Sequence, residues 1–216
     1  MTKVKSAILI AALFFVSHII KAQNDVKSYD FKEFDKVQIQ NINGDVEIEI
    51  GKSYSITVSG KENAQQQVHV TKSEDKLLVC LVDKFLNDWK NREVVKIKIV
   101  MPDISNLFNY SNADVSIQKF AGRYIRIENK GNGNVMVSGS VVERIDLNNN
   151  GNGNLEARDI ISKGVNIFKA GNGDVSIRTD TNFYVEMNGN GDIVNYGQGK
   201  AIIKKQSGTG KVLYRN

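Results

Sequence analysis

Cysteine, proline, tryptophan and histidine are almost absent from this chain of 216 residues. Cys80 is the only cysteine, which excludes an intrachain disulfide and hence a stapled scaffold. Its run, Leu77 to Val82, reads as an apolar strand holding either a small buried hydrophobe or a dimerising thiol. Past the first 22 residues His69 is the sole histidine, so a His-based metal site or a catalytic triad has no partners. There is no basic run interleaved with aromatics, which argues against nucleic acid. No glycine loop opens a helix, so phosphate cradling is not indicated. Pro102, the lone proline, closes the strand Val95 to Met101 because it cannot donate to a ladder.

Glycine is plentiful and unevenly placed, with 15 of 18 beyond residue 120. Most mark a repeated phrase: Ser111-Asn112-Ala113-Asp114, Gly131-Asn132-Gly133-Asn134, Gly151-Asn152-Gly153-Asn154, Gly171-Asn172-Gly173-Asp174, Gly189-Asn190-Gly191-Asp192 and Gly208-Thr209-Gly210-Lys211. Their starts lie 20, 20, 20, 18 and 19 residues apart. A short strand follows each phrase and another precedes it. Counting from the first residue of each phrase, positions +4 and +6 and positions −6 and −4 are apolar, with polar residues between them. Val135/Val137 and Ile125/Ile127 are one such set. This predicts an all-β fold of stacked coils with period near 20, each giving paired apolar side chains to one interior. The pattern fades at Ile202/Lys204, where a last coil must end the stack.

The N-terminus has the form of an export signal, with Lys3 and Lys5, an apolar stretch from Ala7 to Ile20, and a cleavage point after Ala22. Removing residues 1–22 takes away Lys3, Lys5 and Lys21, so the formal charge falls from +5 to +2. The remainder, 23–216, is expected to be one domain without a membrane span. Residues 29–103 hold the first coils and a strand insertion, and 104–216 the regular repeats. No helix is expected beyond a turn or two in Asp83–Lys90.

The Gly-Asn-Gly turn is expected to exploit positive φ, which Gly accepts freely and Asn tolerates. Stacking at about 4.8 Å places Asn112, Asn132, Asn152, Asn172 and Asn190 in one file. Asn148, Asn149 and Asn150 are expected to enlarge that polar edge. Asp174 and Asp192 fall in adjacent coils, with three readings open: each caps its own turn, the two contribute to a calcium site, or they form a glycosidase pair. Phe85 and Trp89 are either a core plug or a partner contact. No cofactor is implied.

The ordered set Phe31-Lys32-Glu33-Phe34-Asp35-Lys36-Val37, Asn43-Gly44-Asp45-Val46, Val95 to Pro102 and the serial Gly-Asn-Gly phrases resembles the putative auto-transporter adhesin head, or GIN, domain family of secreted Bacteroidetes-type proteins. The resemblance implies a right-handed, single-stranded β-helix or β-solenoid and an adhesin role, with no catalytic residues to carry over. The leading expectation is therefore an exported, non-enzymatic binding protein that shows a polar face to a glycan or a surface protein. A polysaccharide-active enzyme and an envelope scaffold are the alternatives, and a homo-oligomer is left open.

Overall fold

The computed structural model describes residues 26–85 and 93–215; the export signal lies outside them. The protein is all-β and built as two parallel-rich sheets that do not close into a barrel. From β8 (Asn106–Tyr110) onward, consecutive strands fall alternately in the two sheets. The first sheet has ten strands and takes β9 (Asp114–Phe120), β11 (Val135–Gly139), β13 (Leu155–Asp159), β15 (Val175–Ile177), β17 (Ile193–Asn195) and β19 (Val212–Tyr214). The second has nine and takes β10 (Tyr124–Asn129), β12 (Arg144–Asn149), β14 (Val165–Lys169), β16 (Phe183–Asn188) and β18 (Ala201–Ser207). Each strand pairs in parallel with its equivalent one repeat away, Ile125 with Ile145 and Val135 with Leu155.

The sequence periodicity places the core directly. Inward files such as Ile125–Ile145–Val165 and Val115–Val135–Leu155–Val175–Ile193 run from repeat to repeat, every member nearly inaccessible to water. Both sheets bury one face against the other while the outer faces stay in solvent, the alternation expected of half-buried strands. The last repeat differs from the periodic reading. Its inward residues are Ala201 and Ile203 rather than Ile202 and Lys204, since a register shift after Val185 takes up the extra residue of the longer repeat.

The N-terminal third joins the same sheets out of chain order. β2 (Lys36–Gln40) lies between β8 and β6 (Lys76–Leu81), and β3 (Gly44–Ile50) lies between β9 and β7 (Val95–Met101). Beyond them, β4 (Ser55–Ser59) runs antiparallel on β7, β1 (Val26–Tyr29) antiparallel on β4, and β5 (Val68–Ser73) antiparallel on β6. A five-residue helix, α1 (Glu62–Gln66), links β4 to β5 and buries Ala64 completely in the core. It is a helix the sequence reading did not anticipate. Ala64 seals that end of the stack where each sheet would otherwise leave its interior open.

Two expectations about the turns need correction. Among the described glycines positive φ occurs only at Gly44, Gly60 and Gly208; apart from Gly208, which opens the last phrase, the glycines of the repeated phrases do not adopt it. They are required because stacked turns approach too closely for any side chain. A Cβ on Gly153 would sit 1.9 Å from Gly133 O, and one on Gly133 1.9 Å from Ala113 O. Nor do Asn148 to Asn150 form one edge. Asn149 is fully buried and belongs to an inward file, Asn109–Asn129–Asn149, two residues before each phrase. Asn109 Nδ2 donates to Asn129 Oδ1 at 3.1 Å and Asn129 Nδ2 to Asn149 Oδ1 at 3.3 Å. The same amides bond the turn carbonyls of Ala113, Gly133 and Gly153 from inside. Lys169 continues this file, fully buried, with Nζ donating to Gly171 O at 2.8 Å.

Two tests follow from this packing. Gly153→Ala must displace backbone in a closed stack and should cost about 3 kcal/mol. Gly164→Ala, whose Cβ would lie 3.3 Å from Glu143 O, should cost under about 1 kcal/mol. Equal urea midpoints for the two variants would refute close approach as the reason for the repeat glycines. The second test concerns Lys169, whose pKa is lowered by burial, with Asp174 and Asp192 partly opposing. The unfolded chain thus holds this proton more tightly than the fold does. Stability from this residue rises with pH through the folded pKa toward the ordinary 10.5. Lys169→Met should therefore stabilise the fold by about 1–2 kcal/mol at neutral pH, and its advantage should shrink in alkaline urea melts.

Candidate binding face

The outward side chains of the second sheet form two cross-strand rows on its solvent side. Strand register sets Arg126, Asp146, Asn166 and Tyr184 in one row and Glu128, Asn148, Phe168 and Glu186 in the next. Between and beside them lies an open groove of about 410 Å³, with Lys204 of β18 at its far side. Phe168 and Tyr184 are 44% and 45% exposed, so each offers a flat apolar surface within reach of hydrogen-bonding groups. Lys204 Nζ sits 4.5 Å from the centroid of the Tyr184 ring and steadies it.

The polar part of the groove is held rigidly. Asp146 accepts from Asn166 Nδ2 at 2.8 Å, Tyr124 OH at 3.0 Å and Arg144 Nε at 2.9 Å. Burial works to raise its pKa, but these donors outweigh it and the carboxyl stays below its ordinary range. Glu128 is 8% exposed at its side chain and is held by Lys130 Nζ at 2.5 Å and Arg126 at 3.5 Å. Tyr110 OH donates to its Oε1 at 2.9 Å. Burial first, and then Glu128, push the Tyr110 phenol up to about 12. Glu128 itself is net lowered: burial raises it, and Lys130 and Tyr110 more than compensate. On the groove floor, Asn148 Oδ1 is closed to solvent and accepts no hydrogen bond from the described residues. It is an acceptor left unspent between the charged Glu128 and the aromatic Phe168.

The outer face of the first sheet carries a second groove, of about 390 Å³, with a different character. Asp45, Glu47, Asp114 and Glu156 line it around a half-exposed Met136. Much of this charge is already matched: Lys98 Nζ lies 3.1 Å from Glu47 and 2.9 Å from Glu49. Lys119 and Lys98 hold the Glu49 carboxyl down to about 2.

The residues singled out from the sequence fall elsewhere. Asn132, Asn152, Asn172 and Asn190 each donate through Nδ2 to Oδ1 of the preceding member, at 2.8, 2.8, 2.9 and 3.0 Å, starting from Asn112. Thr209 ends the ladder by donating to Asn190. The adjoining file does not cap its own turns. Asp114, Asn134, Asn154, Asp174 and Asp192 each accept the backbone N–H of the next repeat's equivalent residue, Asp174 from Asp192 N at 2.7 Å and Asp192 from Lys211 N at 2.8 Å. Stacking turns, not single turns, consume these oxygens. Among the described residues, no three His, Cys, Asp or Glu side chains are grouped so as to hold a metal ion. Phe85 is half-buried with Lys84 Nζ 4.8 Å from its ring centroid, and Trp89 lies outside the described residues. His69 is exposed on the outer side of β5. The aromatic face was missed, although Phe108, Tyr124, Phe168 and Tyr184 all stand at odd offsets from their phrases, the outward parity.

The protein is an all-β chain of repeated strands whose outward side chains form open grooves on both sheets. The chain belongs to the family described as putative auto-transporter adhesin, head GIN domain, whose model matches residues 33–199. Among solved structures, it is similar to a putative adhesin from Bacteroides fragilis at 17% identity and a TM-score of 0.68, covering 88% of this chain and 96% of that one. It is also similar to a putative lipid binding protein from Parabacteroides distasonis at 16% identity and a TM-score of 0.52, covering 89% and 96%. At these identities the likeness speaks for the fold. No curated protein sequence matches.

Tyr110→Phe removes one partner of a buried carboxylate and should cost about 1.5 kcal/mol at neutral pH. A carboxylate with a lowered folded pKa adds stability above its unfolded pKa, lost as pH falls through the folded value. With one donor gone, the Glu128 pKa moves up, so acid unfolding followed by circular dichroism should begin at higher pH. Unchanged acid and urea profiles would show that the Tyr110–Glu128 bond contributes nothing.

Proposed function

We propose that this chain is an exported, non-catalytic binding module, a single right-handed β-solenoid whose second-sheet groove takes a glycan. The observation that carries the reading is the pairing of two half-exposed rings, Phe168 and Tyr184, with fixed hydrogen-bonding groups at Asp146, Asn166 and Arg126. A sugar ring has an apolar face, which stacks on an aromatic side chain, and an equator of hydroxyls that need both donors and acceptors. The groove supplies carboxylate, amide and guanidinium groups on a sheet that needs no rearrangement to receive them, which lowers the cost of binding. A slight turn of the Asn148 amide gives a ligand hydroxyl its unspent acceptor.

The alternation of strands between two sheets and the in-register files support the solenoid reading. Membership of an adhesin-head family and likeness to a putative adhesin support a binding role at a surface outside the cell. No helix of the described residues is long and apolar enough to cross a membrane. The competing enzyme reading needs free carboxylates at Asp174 and Asp192. Each gives an oxygen to a neighbouring turn, and both sit away from the aromatic groove.

A glycan array probed with the purified protein should give a saturable signal. Tyr184→Ala and Phe168→Ala should each weaken it about tenfold, the size of one lost aromatic contact. Ser116→Ala on the opposite sheet should leave it intact. A blank array, or binding indifferent to both ring removals, would sink the proposal.

A further inference from the structure

The two ends of the stack are finished differently. At one end antiparallel β4, β5 and β1 and the fully buried Ala64 close the interior. At the other, β18 and β19 are the last strands of their sheets. Ile203, in register with the fully buried Val185, is 46% exposed, and Tyr214, in register with buried Asn195, is 41% exposed. Ile202 adds a further 41% exposed apolar side chain. Tyr214 OH accepts from Ala201 N at 3.1 Å and so ties the two final strands together, but it does not cover Ile202 or Ile203.

The charge at this end has one sign. From Ile193 to Asn216 the chain carries Lys200, Lys204, Lys205, Lys211 and Arg215 and no Asp or Glu. None of these five forms an ion pair with another described residue, although Glu186 stands opposite Lys205 in register. Lysines on an edge strand ordinarily discourage pairing with a like edge. They also select for an edge of opposite charge. The molecule contains that match internally. In β3 the acids of Asp45-Val46-Glu47-Ile48-Glu49 stand beside the lysines of Lys96-Ile97-Lys98 in β7, with Lys98 bridging Glu47 and Glu49.

We infer that the open edge of β18 is a docking site for an extended acidic segment of another protein, which adds a strand to the second sheet. Backbone hydrogen bonding supplies affinity, Ile202 and Ile203 receive the segment's apolar side chains, and Lys204 and Lys205 receive its carboxylates. A second copy of this chain presents the same five cations and is repelled at this edge. The site is separate from the glycan groove except at Lys204, and the inference stands without that reading.

The probe is a fluorescent peptide of the chain's own acidic strand, Gly-Asp-Val-Glu-Ile-Glu-Ile, with a counterpart carrying Lys in place of each acid. Fluorescence anisotropy at low salt should show saturable binding of the acidic peptide alone, weakened by added salt. Amide shifts in NMR spectra should centre on Ala201–Ser207. The double variant Lys204→Glu/Lys205→Glu should bind about tenfold more weakly, and Lys163→Glu should bind as the parent does. Should the double variant fail to fold, the milder Lys204→Gln/Lys205→Gln removes the same two charges and should weaken binding likewise. Absence of binding, equal binding of the basic peptide, or shifts away from β18 would overturn the inference. So would self-association in sedimentation runs that the double variant abolishes, because the occupant would then be a second copy.

Discussion

Everything in this structure depends on repeats stacking in register at hydrogen-bonding distance. Parallel strands about 4.8 Å apart put each residue directly over its equivalent in the neighbouring repeat. A position in the sequence thus becomes a file through the molecule, and a residue is acceptable only if it can be stacked on its own kind. Branched aliphatics satisfy this inside both sheets. Amides satisfy it at the turns, since each can donate to one neighbour and accept from the other. Glycine satisfies it where backbones touch, as at Gly131, Gly151 and Gly171, each of whose Cβ positions would clash with a carbonyl oxygen of the previous turn at 1.8–2.1 Å.

Charge is what such stacking tolerates least, and the files show how the problem is managed. The file through Asp114 interposes Asn134 and Asn154 before Asp174 and ends on Lys211, so that like charges meet only at Asp45–Asp114 and Asp174–Asp192. Identical anions at every level would repel at short range, whereas an amide offers the same accepting oxygen without the charge. Because backbone N–H groups of the next turn fill these oxygens, the residues act as mortar between repeats. Lys169 interrupts the buried amide file, and its ammonium has to be held by a turn carbonyl. On the outer faces, where water screens charge, opposite signs are set on adjacent strands instead, as with Glu47 and Lys98.

This constraint also decides what could be read in advance. The inward files from Val115 to Ile193 and from Ile125 to Val185 follow from periodicity alone, and the Asn112–Asn190 ladder follows from their spacing. The buried Asn109–Asn129–Asn149 file was legible too, since it shares parity with the apolar positions before it. Its polarity concealed it. The placement of β7 between β3 and β4 was not legible: pairing between segments about 50 residues apart leaves no local signal, and alternating strands accept either edge. Nor was α1, whose five residues lack any amphipathic period and are helical because they bridge two sheets. The aromatic groove fell between these cases. Its residues have outward parity, but their spacings differ from repeat to repeat, so no single motif announces them.

The separation between inward and outward files has a functional consequence. The core requires that inward positions be apolar, amide or, at Lys169, bonded to a turn carbonyl, and that turn glycines stay bare, leaving outward positions on both sheets under no such demand. A surface of this kind can change ligand without changing fold, so relatives at 16–17% identity can share the backbone while carrying different names. Function must accordingly be sought where this chain departs from its own repetition. The second-sheet face does so by gathering Phe168 and Tyr184 beside Asp146 and Asn166, and the final repeat does so by leaving Ile202 and Ile203 uncovered among cations that form no ion pair with another described residue. A strictly periodic stack would have neither feature, and neither is needed to hold the sheets together.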